Sequence, residues 1–142
     1  MEPVSLADRG RECHINREKQ QLMNHCQAGR SAEQLAARYL KTIGYRIWKS
    51  NWRWGKKELD LVAVHNGELV IVEVKSMDGN RVNHPWEVVD GRKQRHIILA
   101  ADAFIWLHHI RMPARFDVIA VYYHSGGVEI EHIENAFFPE VE

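Results

Sequence analysis

The dipeptide Asn66-Gly67 lies between two apolar runs, and it constrains the fold of this 142-residue chain more than any other feature. A type I′ hairpin turn needs positive φ at both central residues, and Asn followed by Gly tolerates that best. Strands are therefore expected over 58–65 and 68–76, with His65 paired to Glu68 and paired numbers summing to a constant along the ladder. On that register Asp60 falls opposite Glu73, and Glu58 falls opposite Lys75. Side chains alternate faces with period two, so all four should leave the same face at the open end of the hairpin. Two carboxylates with Cβ atoms about 5 Å apart repel by roughly 3 kcal/mol at an effective dielectric of 20, and a diagonal Lys75 recovers about 2 kcal/mol of that. The set stays net negative, and a divalent cation would fit it. Mg²⁺ binds through one or two carboxylates and leaves positions for water and phosphate oxygens. The plain structural alternative is a solvated sheet end with Glu58 and Lys75 as an ordinary ion pair. It leaves Asp60 opposite Glu73 unexplained.

Around this hairpin the remaining elements fall into order. Ser31 and Gln34 form a capping-box pattern, followed by Ala36, Tyr39, Leu40 and Ile43 at helical spacing and a terminating Gly44. Residues 45–54 are aromatic and β-favouring and read as a first strand. Residues 78–86 carry turn residues and read as a loop. A long helix is expected over about 88–109, with Ile97, Ala101, Phe104, Ile105 and His108 recurring at threes and fours before Pro113. Strands over 115–124 and 128–133 flank Ser125-Gly126-Gly127. The order helix, three strands, helix, two strands implies one α/β domain over 29–133, with helices packed on a mixed sheet. Residues 1–28 read as a polar extension and 134–142 as an acidic tail.

Lysine plus arginine equals aspartate plus glutamate at 19 each, so attraction to nucleic acid must come from local clusters. The best cluster is YRIWKSNWRWGKK, with Arg46, Lys49, Arg53, Lys56 and Lys57 and no acidic residue. Its Trp48, Trp52 and Trp54 could stack on bases, although strand tryptophans more often serve a core or an interface. On the long helix, Lys93 extends the row of Ile97 and Ala101 toward the sheet end. Arg92 and Arg95 flank it, which suggests phosphate contacts against the alternative of a solvated helix terminus. Glu33 lies on the apolar stripe of the first helix, where a carboxylate needs a partner, yet the helix dipole alone also favours a Glu there. Cys13 and Cys26 read as reduced thiols. Their pairing with His14 and His25 matches no usual zinc spacing. No apolar run approaches the roughly 20 residues that span a bilayer, and the first residues lack a signal-peptide core, so a cytoplasmic protein is expected.

Asp60 followed by Glu73-Val74-Lys75, after a helix bearing Glu33, resembles the motif of the PD-(D/E)XK nuclease superfamily, without the proline before the acid. More closely, GRSAEQLAARYL, KELDLVAV, IVEVKS, Lys93 and RFDVIAV resemble the bacterial YraN-like family over about residues 29–124. Relatives of that family include archaeal Holliday-junction resolvases. The chain departs from the family at Ala32 and Lys57, where glycine is common, and at Met77, where arginine is usual. The last change removes a phosphate contact. The resemblance implies a restriction-endonuclease-like core in which Asp60 and Glu73 ligate Mg²⁺ or Mn²⁺, with the Val74 carbonyl completing the protein ligands. It further implies that Lys75 orients the attacking water and that Glu33 assists. The implied activity is hydrolysis of DNA, branched or otherwise structured, with RNA left open, and a symmetric dimer would suit a junction. Two other classes stay open: a nucleic-acid-binding module of the same fold with little catalysis, and a protein-interaction domain using the aromatic strand.

Overall fold

The computed structural model describes residues 30–78 and 89–139. The N-terminal extension with Cys13 and Cys26, all but the first residue of the 78–86 loop, and the last three residues lie outside this description. The order is α1 (Arg30–Thr42), β1 (Arg46–Trp54), β2 (Lys57–His65), β3 (Glu68–Asp78), α2 (Gly91–Leu107), β4 (Ala114–His124) and β5 (Gly127–Phe137). This is the element order expected of the restriction-endonuclease-like core. The five strands form one mixed sheet in sequential order. Only the β3–β4 pair is parallel, and α2 provides the crossover it needs.

Both faces of the sheet are covered, which is why its central strands read as nearly continuous apolar runs. On one face Ala32, Leu35, Ala36 and Leu40 of α1 pack on Leu61, Ala63, Val70, Val72 and Ile119. On the other, Ile97, Ala100, Ala101 and Phe104 of α2 pack on Leu59, Val62, Leu69, Ile71 and Val118. Burying these side chains on both faces contributes roughly 1.5–3 kcal/mol for each Val, Leu, Ile or Phe, and it fixes which face every strand residue addresses. Among the described residues no helix is long and apolar enough to cross a membrane.

The helix ends show how local chemistry sets the boundaries. Gly44, at φ +90°, closes α1: its N–H bonds the Lys41 carbonyl at 3.2 Å, and the Tyr45 N–H bonds the Leu40 carbonyl at 2.9 Å. This is a Schellman end, which needs a left-handed residue. At the other end the expected cap shifts, since Ser31 stands one residue inside the helix. The long helix begins later than 88, because Asp90 caps it by accepting from the Lys93 N–H at 2.8 Å.

The Asn66-Gly67 turn has φ +49° and +75°, as a type I′ turn requires. The ladder runs from His65↔Glu68 to Leu61↔Val72 in the expected register. Placing a β-branched side chain at Gly67 should therefore cost about 1–2 kcal/mol. We expect Gly67→Val to lower the unfolding free energy by that amount, read as a lower urea midpoint at unchanged slope, and an unchanged midpoint would show that the turn does not set the register.

Candidate metal-binding acidic site on the sheet

The regular ladder ends where the chemistry begins. Leu59 packs in the α2-side core and Leu61 in the α1-side core, so the alternation of β2 breaks at Asp60. Across on β1, Asn51 lies between the pairs Ser50↔Leu61 and Trp52↔Leu59 and is held at φ +53°. The expectation of four residues on one evenly alternating face is corrected here: the ladder register holds to Leu61 and then yields to this irregularity. The half-buried Asp60 turns its carboxylate onto β3, where Oδ2 accepts the Val74 N–H at 2.9 Å. In an extended strand the N–H and C=O of one residue point to the same side. The Val74 carbonyl therefore also projects toward Asp60.

Glu73 continues the α2-facing row of Leu69 and Ile71 and is only 4% exposed. Lys75, two residues on, shares that face. Its Nζ lies 3.4 Å from Glu73 Oε1, so it pairs with Glu73 rather than with Glu58 as in the structural alternative. Lys93, in the first turn of α2, brings its Nζ to 3.8 Å from the same oxygen. This agrees with the helical row that pointed Lys93 to the sheet end. Burial drives both acids toward their neutral forms. Asp60 is raised by desolvation, which outweighs the Val74 N–H and the lysines. Glu73 is pushed up to about 7, first by desolvation and then by the neighbouring Asp60, against the pull of Lys93 and Lys75. Two nearby ammonium groups thus leave the carboxylate pair short of positive charge.

The other expected residues are spread over α1, β1, the β1–β2 turn, β2 and α2. Glu33 stands half-buried in the first turn of α1, the layer on the opposite face from α2. Arg92 and Arg95 are exposed on α2, and Arg46, Lys49, Arg53 and Lys56 are exposed on β1 and its turn, with Lys57 half-buried opposite Trp54. β1 is an edge of the sheet. Trp48 and Trp52 meet the Phe104 ring edge-on at 5.3 and 5.1 Å, so both help close the α2-side core.

One polar constellation carries no role in the sequence reading. Asp117 is fully buried on β4 and accepts two bonds from Arg115, at 2.9 Å each. His132 Nε2 donates to its Oδ2 at 2.7 Å, and the Asn135 N–H donates to Oδ1 at 3.1 Å. Burial alone would raise Asp117, but the His132 and Arg115 bonds hold it below the ordinary aspartate value. Arg115 also donates to the Tyr45 hydroxyl, and the Tyr45 ring stacks on His65 at 3.9 Å. The signal for this cluster was Arg115 and Asp117 two apart on an otherwise apolar strand, opposite charges that must share one face.

Among the described residues no group of three or more His, Cys, Asp or Glu converges on a point. The acidic pair with one backbone carbonyl is the candidate donor set, and it suits Mg²⁺, which takes few protein carboxylates.

Comparison with known proteins agrees with the chain's motifs. The model of "Uncharacterised protein family UPF0102" matches residues 32–121. The chain is 39% identical over 120 residues to a UPF0102 protein of Phocaeicola vulgatus, covering 84% of this chain and 99% of that one. It is 42% identical over 118 residues to a UPF0102 protein of Bacteroides thetaiotaomicron, covering 83% and 98%. A UPF0102 protein of Chlorobium chlorochromatii is 40% identical over 121 residues, covering 81% and 94%.

Proposed function

Because the chain belongs to the uncharacterised protein family UPF0102, the YraN family, we propose its function from the site itself. The reading is metal-dependent hydrolysis of DNA phosphodiester bonds, with branched DNA such as a four-way junction as substrate class. One observation carries it: a carboxylate pair, Glu73 buried and Asp60 half-buried, in which Asp60 is fixed on the Val74 N–H and Glu73 shares one oxygen with Lys75 and Lys93. A sheet interior otherwise avoids such a pair, because the two charges cost more than the lysines return.

Asp60 and Glu73, with the Val74 carbonyl, would hold Mg²⁺ or Mn²⁺. Bound there, the ion would supply Lewis acidity and a water of lowered pKa. The protein's own part is positional and electrostatic. Lys75 would orient the attacking water, and its charge would offset that developing on the phosphate. Lys93 brings a second cation to the same oxygen from a different element, a position that supports a role in contacting the scissile phosphate. Glu33, in the α1 layer, would act only from the other face of the sheet. Arg92, Arg95 and the basic β1 edge hold the DNA backbone, an attraction that should weaken steeply with salt.

Metal titration by calorimetry tests the donor set without reference to turnover. Glu73 is protonated in the folded protein up to about pH 7. The stability contributed by that proton is present below the ordinary glutamate range and lost as pH rises through about 7. A cation must displace the proton, so Mg²⁺ or Mn²⁺ affinity should rise about tenfold per pH unit below 7 and level off above it, with proton release on binding. In Glu73→Gln both the affinity and the proton release should disappear. Metal binding that is indifferent to pH and to Glu73 would sink the donor set.

The second reading, a nucleic-acid-binding module with little catalysis, draws on the exposed Arg46, Lys49, Arg53 and Lys56 along the β1 edge and its turn. It predicts salt-dependent DNA binding with no cleavage, governed by Arg53 and Lys56 rather than Asp60.

A further inference from the structure

β1 presents more than positive charge. Trp52 stands opposite Leu59, the residue before Asp60, and Trp54 stands opposite Lys57. The pair therefore lies at the same end of the sheet as the acidic site, on a strand about 10 Å from β3 by ordinary strand spacing. Trp52 is held edge-on against Phe104, and the Trp54 ring runs parallel to it, with 6° between planes and 6.3 Å between centroids. Trp52 and Phe104 face the α2 side, the side that Glu73 and Lys75 address. Trp54 is 45% exposed, on a strand whose ends and following turn carry Arg46, Lys49, Arg53 and Lys56. No acidic residue occurs between Tyr45 and Lys57.

An exposed aromatic ring held by a packed neighbour, beside a basic edge, matches what single-stranded nucleic acid requires. The bases need a flat surface and the phosphates need cations, with no hydrogen-bond code. A duplex keeps its base faces stacked and cannot use the ring. We infer that Trp54 is a stacking platform for an unpaired base next to the cleaved phosphate, so that the site takes DNA with locally single-stranded nucleotides in preference to continuous duplex. This rests on the nuclease reading for its proximity to a scissile bond. The charge of the edge favours nucleic acid over a second copy of the chain, whose matching edge would bring the same cations together.

Binding is best measured by fluorescence anisotropy with the full chain in EDTA, using a labelled short oligothymidylate and a blunt duplex. Trp54→Ala should weaken oligothymidylate binding about tenfold or more and leave duplex binding unchanged. Trp54→Phe should restore most of the loss. Trp106→Ala, removing an indole 75% exposed on α2, should have no effect. Equal oligothymidylate affinity in wild type and Trp54→Ala overturns the proposal. So does an equal loss in Trp106→Ala, or a sedimenting dimer that shields Trp54 and binds no oligothymidylate. Because binding is read without metal, a failure to cleave in Mg²⁺ overturns the nuclease reading and the proximity to a scissile bond, whereas the stacking of an unpaired base on Trp54 is decided by the binding data alone.

Discussion

Asp60→Asn should abolish junction cleavage, by on the order of 10³-fold or more, while making the metal-free protein slightly more stable. The asparagine carbonyl can still accept the Val74 N–H at the place where Asp60 Oδ2 now does, so β2 and β3 stay joined. What disappears is one negative charge. Losing one ligand of a catalytic cation removes several kcal/mol of transition-state stabilisation, and each 1.36 kcal/mol is a factor of ten in rate. In the metal-free protein the same charge is a burden, since it helps hold Glu73 up at about 7. Removing it should let Glu73 titrate closer to the ordinary glutamate value and should raise the melting temperature. Opposite signs for activity and stability mark a functional carboxylate, because a structural one would lose both. Cleavage that persists in Asp60→Asn, in preparations free of contaminating nuclease, would end the assignment.

The hairpin shows how far the sequence reaches and where it stops. Asn66-Gly67 determines the register because its turn geometry is local, and every pair from His65↔Glu68 to Leu61↔Val72 follows from it. Lys93 was legible for a similar reason: one turn before Ile97 on a helix, it had to share that residue's direction. The break at Asp60 was hidden, because it depends on Asn51 of a neighbouring strand adopting φ +53°. The end of β5 was hidden in the same way. Glu134 and Asn135 look like the start of a polar tail, yet β5 runs on to a buried Phe137 stacked on Phe116 at 5.2 Å. Asn135, at φ +52°, bulges the strand so that its N–H reaches Asp117, and the register shifts between Phe116 and Val118. Both surprises are irregularities at which a backbone or side-chain group is diverted to a buried carboxylate. Strand periodicity cannot register them, since period two assumes that the ladder continues.

Asp117→Ala should be the most destabilising single substitution proposed for this chain, by about 3–5 kcal/mol. The aspartate is fully buried and accepts from Arg115, His132 and the Asn135 backbone. Its removal leaves the buried Arg115 guanidinium facing an alanine, with the Tyr45 hydroxyl and longer contacts to Glu68 at 3.4 Å and Glu134 at 4.0 Å as remaining partners. The cost therefore comes mainly from the charge left behind. Arg115→Met combined with Asp117→Leu should lose much less than the two single changes summed, and a double-mutant cycle in urea would measure the difference. The pH dependence follows from the same contacts. Asp117 is held below the ordinary aspartate value, so its stabilisation is complete above that value and is lost as pH falls through its folded pKa. Wild type should thus carry an acid unfolding limb that is shallower in Asp117→Ala. Metal affinity at neutral pH and low temperature should survive the substitution where the protein stays folded, because Asp117 points to the α1 face and Glu73 to the α2 face. A loss of metal binding in a folded Asp117→Ala protein would mean that the two carboxylate systems are coupled through β4, and the site would then extend across both faces of the sheet.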